Sequence, residues 1–482
     1  MRNLKPNFIY QLSISFLQAV VPIITFPYVS RILGPEAIGK INFIDYIAQF
    51  LLVVSAFGIP MYAAREVARL RGNKVAIRKL VSEIVSIHIF TTLICLVIFA
   101  IAVYFSPAGL QNKGLIVLAL INLTANAFSA DWLIQGLEDF AFISKRTVVI
   151  RLVIVSLMFL LVTKQSHFTL YYSLLILGSI LIVATDIYYA YKKNLFQVSF
   201  ENPFRHLKPL AIFFFTTSAI TIYSYLDTFV LGVVAGSLAV GLYTTALKTV
   251  KLSQNFVNDL SGVLLPRISY LYEQNEQQEI ARLLNKSLLY VVTVSIPLSV
   301  FFFVMAPEIV AVIAGPQYTL SITTLRILAP LPLIMGLSNI FGIQVLIPFK
   351  KEKIMLWAVS AGSVVSIVIC LILCPGYKQE GAAWACVIAE AFVTFILFIQ
   401  ASRYTKFKLP LRQWMPVLLC ASLFIPIIEF LRSAFYSNLI SLFISIVLCG
   451  LLYVGLQLVV FSNVIVKEAV YFFAGMINLV KK

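Results

Sequence analysis

Gly34-Pro35-Glu36-Ala37-Ile38-Gly39 recurs as Gly236-Ser237-Leu238-Ala239-Val240-Gly241, about 200 residues further along the chain. Each copy joins two apolar runs by a tight turn, and each is followed by a long helix that reaches a proline, Pro60 or Pro266, and then a charged linker. The offset persists downstream: Ile77-Arg78-Lys79-Leu80 opens one apolar run much as Ile280-Ala281-Arg282-Leu283 opens another. A glycine-pinned turn repeated in register predicts a chain built from two related halves, the arrangement by which many membrane carriers surround a central site.

Composition fixes the medium in which those halves fold. The chain has 482 residues, of which 61% are hydrophobic and 12% charged, and its mean hydropathy is +0.96. A soluble domain carries about 25% charged residues, so this is a polytopic all-α membrane protein. Windows of about 20 apolar residues predict fourteen transmembrane helices, near 9–30, 41–63, 81–105, 114–136, 147–163, 168–191, 209–234, 240–265, 286–306, 322–348, 354–374, 381–401, 413–431 and 437–461. The repeat then predicts two six-helix lobes, 1–195 and 196–402, around a central cationic lumen, with two accessory helices and a short amphipathic tail in 403–482. Tyr471, Phe472 and Phe473 beside Lys467, Lys481 and Lys482 suit a tail on the membrane surface, or an ordinary anchored terminus.

The formal net charge of +17 does not signify nucleic acid, because the basic residues are scattered between spans instead of gathered on one wet face. Their distribution sets the topology. Most Lys and Arg fall on one side of alternate spans, from Arg2 and Lys5 to Lys481 and Lys482, while the other side receives Arg31, Lys40, Lys113, Lys164, Lys378 and Arg432. The positive-inside rule places the rich side, with both termini, in the cytoplasm. The opening basic residues and apolar run imitate a secretory signal, but the run is too long and no small-x-small site closes it, so it is expected to remain as the first span. The six cysteines show no zinc spacing or paired loop positions. His88, His167 and His206 stand beside no arrangement for metal binding or nucleophilic catalysis, so neither an enzyme nor a cofactor is expected.

Function is carried by polar residues inside the spans. Lys248, Lys251 and Arg326 lie within or at the edge of apolar stretches. A charge near mid-bilayer costs roughly 2.5–3.5 kcal/mol unless it faces a wet cavity or a partner, which points to a path for something anionic. At 100° per residue, Gln11, Ser15, Gln18 and Thr25 share one face of the first helix, with Pro22 and Pro27 positioned to bend it. Asn42, Asp45 and Gln49 share a face of the second. Thr217, Thr221, Ser224 and Thr228 align in the seventh with Asp227 at the flank, and Thr244, Lys248, Lys251, Asn255 and Asp259 align in the eighth. These four helices are expected to line one polar cavity. Two ammonium groups a turn apart need anionic company, which Asp45 and Asp227 supply either as a permanent ion pair or as one that a substrate or proton disrupts. Both readings stay open.

Three segments resemble the Wzx-type polysaccharide flippases of the multidrug/oligosaccharidyl-lipid/polysaccharide exporter superfamily. They are Tyr28-Val29-Ser30-Arg31-Ile32-Leu33-Gly34-Pro35-Glu36-Ala37-Ile38-Gly39; Ala130-Asp131-Trp132-Leu133-Ile134-Gln135-Gly136-Leu137-Glu138; and Tyr225-Leu226-Asp227-Thr228 through Gly241-Leu242-Tyr243-Thr244-Thr245-Ala246-Leu247-Lys248 to Leu265-Pro266-Arg267. The resemblance implies flipping of undecaprenyl-pyrophosphate-linked oligosaccharide, destined for O-antigen, capsule or a similar polymer, across the bacterial cytoplasmic membrane by alternating access. It implies that Lys248 and Lys251 meet phosphate, that Arg31 guards the outer mouth, and that Arg146 and Arg151 lie near the inner one. Asp131 and Gln135 would bind sugar hydroxyls, hold a gate or cap a helix, and Asp45, Asp227 or Asp259 would couple the cycle to protons or sodium. Its partners are then the lipid-linked glycan and membrane lipids, with a polysaccharide polymerase and a chain-length regulator as further candidates, and no nucleic acid. A lipid II flippase and a cation-coupled multidrug antiporter share the expected fold and are the alternatives.

Overall fold

The computed structural model describes residues 4–104, 112–195, 203–407, 411–435, 437–461 and 463–468. The amphipathic tail expected beyond residue 468 lies outside them, as do the side chains of Gln11, Ser15, Gln18, Thr217, Thr221, Ser224, Asn255 and Asp259. The protein is all-helical among the described residues, and ten helical segments are long and apolar enough to cross a membrane.

Two of those ten are too long to cross once. The helices Leu4–Ala56 and Glu352–Tyr404 have 53 residues each, about 80 Å at 1.5 Å per residue against a hydrocarbon core of about 30 Å. Each is broken. Gly34 has φ 76 and ψ 171, a conformation open essentially to glycine alone, and Pro35 restarts the helix with its φ already set. In the other, Lys378 has φ 46 and ψ −122. The 67-residue helix Leu207–Glu273 breaks in the same way at Gly236, φ 80 and ψ 177. Counting each broken helix twice, and adding Phe140–Leu161, which is as apolar as its neighbours but carries the three cations Lys145, Arg146 and Arg151, gives about fourteen crossings. The repeated turn thus fixes the fold twice, by the same backbone device.

The chain forms two compact units, residues 1–232 with 236–241, and residues 233–235 with 242–482. The first has a core in which Leu33, Ile41, Leu115, Leu123, Ile154 and Tyr172 meet, and a second cluster around Tyr62, Ile84, Trp132, Leu133 and Leu210. Leu93, Ile94, Val97, Ile98 and Ile101 stay exposed along one stripe of Lys74–Tyr104. Lipid tails are as apolar as leucine, so such a stripe carries no penalty, and packing and polar contacts decide where helices meet.

Polar contacts lock the accessory helices onto the rest of the second unit. Arg432 reaches Glu308 at 2.6 Å and the carbonyl of Val304 at 3.1 Å, and Tyr453 donates to the carbonyl of Thr293 at 2.7 Å. Glu308 is buried while Arg432 is about one-third exposed. Glu308→Gln is therefore expected to cost about 1–3 kcal/mol, less than a fully buried pair, and to lower the unfolding temperature of the detergent-solubilised protein. An unchanged melting curve would show that the pair contributes nothing.

Candidate functional site

The first unit contains a polar cavity of about 470 Å³. Three helices build it. The segment after Gly34 contributes Asp45 and Gln49, one turn apart; Lys113–Asn126 contributes Asn122 and Asn126, also one turn apart; and Phe168–Lys192 contributes Tyr172 and Ser179. The Tyr172 hydroxyl donates to Asp45 at 3.4 Å and the Asn126 amide to Ser179 at 3.5 Å. Tyr46, beside Asp45, packs its ring 5.0 Å from that of Tyr225, and Asp227, two residues on, is buried and accepts the Thr228 amide at 2.7 Å.

A second cluster explains the Ala130–Glu138 segment almost residue by residue. The Arg146 guanidinium bridges Asp131 and Asp186 and touches Thr185 at 3.3 Å. Arg146 and Asp186 are almost wholly buried, whereas Asp131 keeps 40% of its side chain exposed. The other Asp186 oxygen accepts the amide of Ala130 at 3.1 Å, at the start of the helix Asp131–Gly136. Trp132 is buried and donates to the carbonyl of Ser129 at 3.0 Å. Gly136 leaves no room for a Cβ against Val67. Its carbonyl accepts from Arg71 at 2.8 Å, and Arg71 also pairs with Glu138 at 2.9 Å. The hydrogen bond from Arg71 holds the exposed Glu138 carboxyl below its ordinary range. Gln135 alone of the motif's polar side chains projects as an exposed group with no role in this framework.

A third network joins distant parts of the same unit. His206 stands 2.9 Å from the buried Glu83 and 2.7 Å from the Tyr62 hydroxyl, and Arg205 also pairs with Glu83. The histidine looks isolated in sequence because its carboxylate partner is 123 residues away. A signal was nonetheless present, since Glu83 is an acid at the start of an apolar run, where a charge that enters the membrane needs a partner.

The sequence-derived residues therefore divide. Asp45 and Gln49 meet at the cavity, and Asp131 meets Arg146. Lys248 and Lys251 are half-buried one turn apart in the second unit, after the fully buried Thr244 and Thr245. Arg31 is exposed and Arg151 half-buried; neither lines the cavity nor joins the Arg146 cluster. Gln18, Asn255 and Asp259 have no described side chains. Asn122, Asn126, Tyr172, Ser179 and Asp186 went unread, although the Asn122/Asn126 spacing is the same i, i+4 signal that paired Asp45 with Gln49.

Residues 4–272 match the model of the polysaccharide biosynthesis protein family. A protein of Escherichia coli named for O-antigen transport is 25% identical over 401 residues, covering 82% of this chain and 96% of its own. A Shigella dysenteriae protein of the same name is 26% identical, covering 82% and 99%. A Haloferax volcanii protein named as a low-salt glycan biosynthesis flippase is 24% identical over 39% of each chain. Among solved structures, the lipid II flippase MurJ in an inward closed conformation superposes with a TM-score of 0.75 at 16% identity, covering 96% of this chain and all of that one. An inward-facing multidrug transporter of the MATE family gives 0.62 at 13% identity, covering 82% and 97%. At these identities the structural likeness establishes the fold.

Proposed function

Because the chain belongs to the polysaccharide biosynthesis protein family, we propose that it is a flippase moving undecaprenyl-pyrophosphate-linked oligosaccharide repeat units from the cytoplasmic to the outer leaflet of the bacterial inner membrane. The observation that carries this reading is the match, over 82% of this chain and nearly the whole of each relative, to proteins named for O-antigen transport. Both termini are cytoplasmic in this reading, and the halves 1–195 and 196–402 alternate access to the two leaflets.

The physical problem is the head group. A pyrophosphate cannot enter hydrocarbon uncompensated, since an isolated buried charge costs many kcal/mol. Lys248 and Lys251 supply two positive charges one turn apart, on a stretch of helix whose preceding turn carries the hydroxyls of Thr244 and Thr245. They neutralise the phosphates while the polyprenyl tail stays in lipid. The glycan, rich in hydroxyls, needs hydrogen-bonding walls, and the polyprenyl chain needs none.

The double variant Lys248→Ala/Lys251→Ala is expected to insert at normal levels and to lose most surface glycan when it replaces the native gene. Display at wild-type level would overturn the assigned role. The MurJ-like fold makes lipid II the second substrate to test. Growth of cells depleted of their own lipid II flippase, sustained by this chain alone, would favour that reading over the glycan repeat unit.

A further inference from the structure

We infer that the cavity between Asp45, Gln49, Asn122, Asn126, Tyr172 and Ser179 is the seat of the sugar part of the substrate, holding one or two neutral rings by their hydroxyls. The inference rests on the flippase reading and adds where the glycan binds and by what chemistry.

The lining determines the ligand class. Among the described residues no cationic side chain lines the cavity, so it does not suit a phosphate. A bare cation needs little more than the space of one water, about 30 Å³, whereas the cavity has about 470 Å³, within the range of small-molecule sites. One carboxylate stands among five uncharged polar side chains, with Leu175 and Ile176 forming part of the apolar wall. Carboxamides, hydroxyls and a carboxylate together accept from and donate to sugar hydroxyls, while aliphatic surface covers the C–H face of a ring.

The state of the polar groups points the same way. Asn122 is 5% exposed and its Oδ1 has no hydrogen-bond partner among the protein's own groups, so it is an acceptor that a water or a ligand hydroxyl entering the cavity would satisfy. The two internal contacts across the cavity, at 3.4 and 3.5 Å, are longer than ordinary hydrogen bonds and therefore weak. An arriving hydroxyl displaces little and satisfies an orphan acceptor. Depth agrees as well. Tyr172 and Asn122 lie four and nine residues from the start of their helices, about 6 and 13 Å, and Ser179 sits near the middle of Phe168–Lys192, so the cavity extends from one end of these helices to their middle, the depth at which alternating-access carriers bind.

The test compares two probes on the purified full chain: undecaprenyl pyrophosphate itself, and the same carrier bearing a repeat-unit oligosaccharide extracted from membranes of the producing organism. Wild type is expected to bind the glycan-bearing carrier at least about tenfold more tightly, the worth of one or two buried hydrogen bonds. Asn122→Leu and, independently, Gln49→Leu should bring it down to the affinity of the bare carrier, with elution as a single folded species as the control. Equal affinity of wild type for both carriers would overturn the inference and leave the flippase reading standing; binding of neither would overturn both. Stabilisation by sodium chloride over choline chloride that Asn122→Leu abolishes, with the glycan preference intact, would identify a cation site and refute the sugar seat.

Discussion

Arg146→Ala is expected to abolish surface glycan and to deplete the protein from the membrane. The substitution removes the one guanidinium shared by Asp131 and Asp186. Asp131, partly exposed, keeps some hydration, but Asp186 is fully buried and would retain only the Ala130 amide. Removing one partner of a buried pair costs about 3–5 kcal/mol, a large fraction of the stability of a typical domain. Arg146→Lys should recover little, because an ammonium is a point charge without the fork that reaches two carboxylates at once.

A charge-neutral triple variant, Arg146→Met with Asp131→Asn and Asp186→Leu, separates folding from transport. Replacing a buried ionic network by well-packed apolar groups is often neutral or stabilising. A folded triple variant that exports glycan would make the network purely architectural. A folded variant without export would show that the network also serves the transport cycle. Size-exclusion profiles and thermal unfolding in detergent read the first property, and glycan display the second. Wild-type stability of Arg146→Ala would refute the whole account.

Local signals carried much of this molecule. Apolar windows located the spans because a bilayer imposes length and leaves few polar residues inside them. The six-residue turn was legible because both copies keep their two glycines at the same spacing. Asp45 and Gln49 were paired correctly by helical periodicity, and the same rule applied to Asn122 and Asn126 would have found the opposite wall of the cavity. Periodicity gives the face of one helix, however, and not the helix that this face meets. The family resemblance puts Arg146 near the inner mouth but says nothing of its carboxylate Asp186, which lies 40 residues away on another helix. Glu83 and His206 were likewise invisible as a pair. The general signal for both is a solitary acid within an apolar run, which in lipid must be neutralised by something.

The two glycines of each repeated turn are conserved by different physics within this chain, and Gly39→Ala or Gly241→Ala is expected to damage it severely. Gly34 and Gly236 are required for conformation: their φ values of 76 and 80 exclude a side chain by strain even though nothing lies within 4 Å of a Cβ at Gly236. Gly39 and Gly241 are required for space. A Cβ at Gly39 would run into the Ser237 carbonyl, and one at Gly241 into the carbonyl of Pro35. Both obstacles are backbone, so no rotamer change relieves them, and small residues are what permit such close approach of helices in lipid. Each single alanine should cost at least the roughly 1–3 kcal/mol of an overpacked core. Because the two positions face each other, the double variant should deviate from additivity: once either alanine has forced the backbones apart, the second finds room already made and adds less. Thermal unfolding of the two single variants and the double in detergent measures this coupling. Full additivity would mean that the turns do not touch, and wild-type melting of Gly39→Ala would refute the close approach itself.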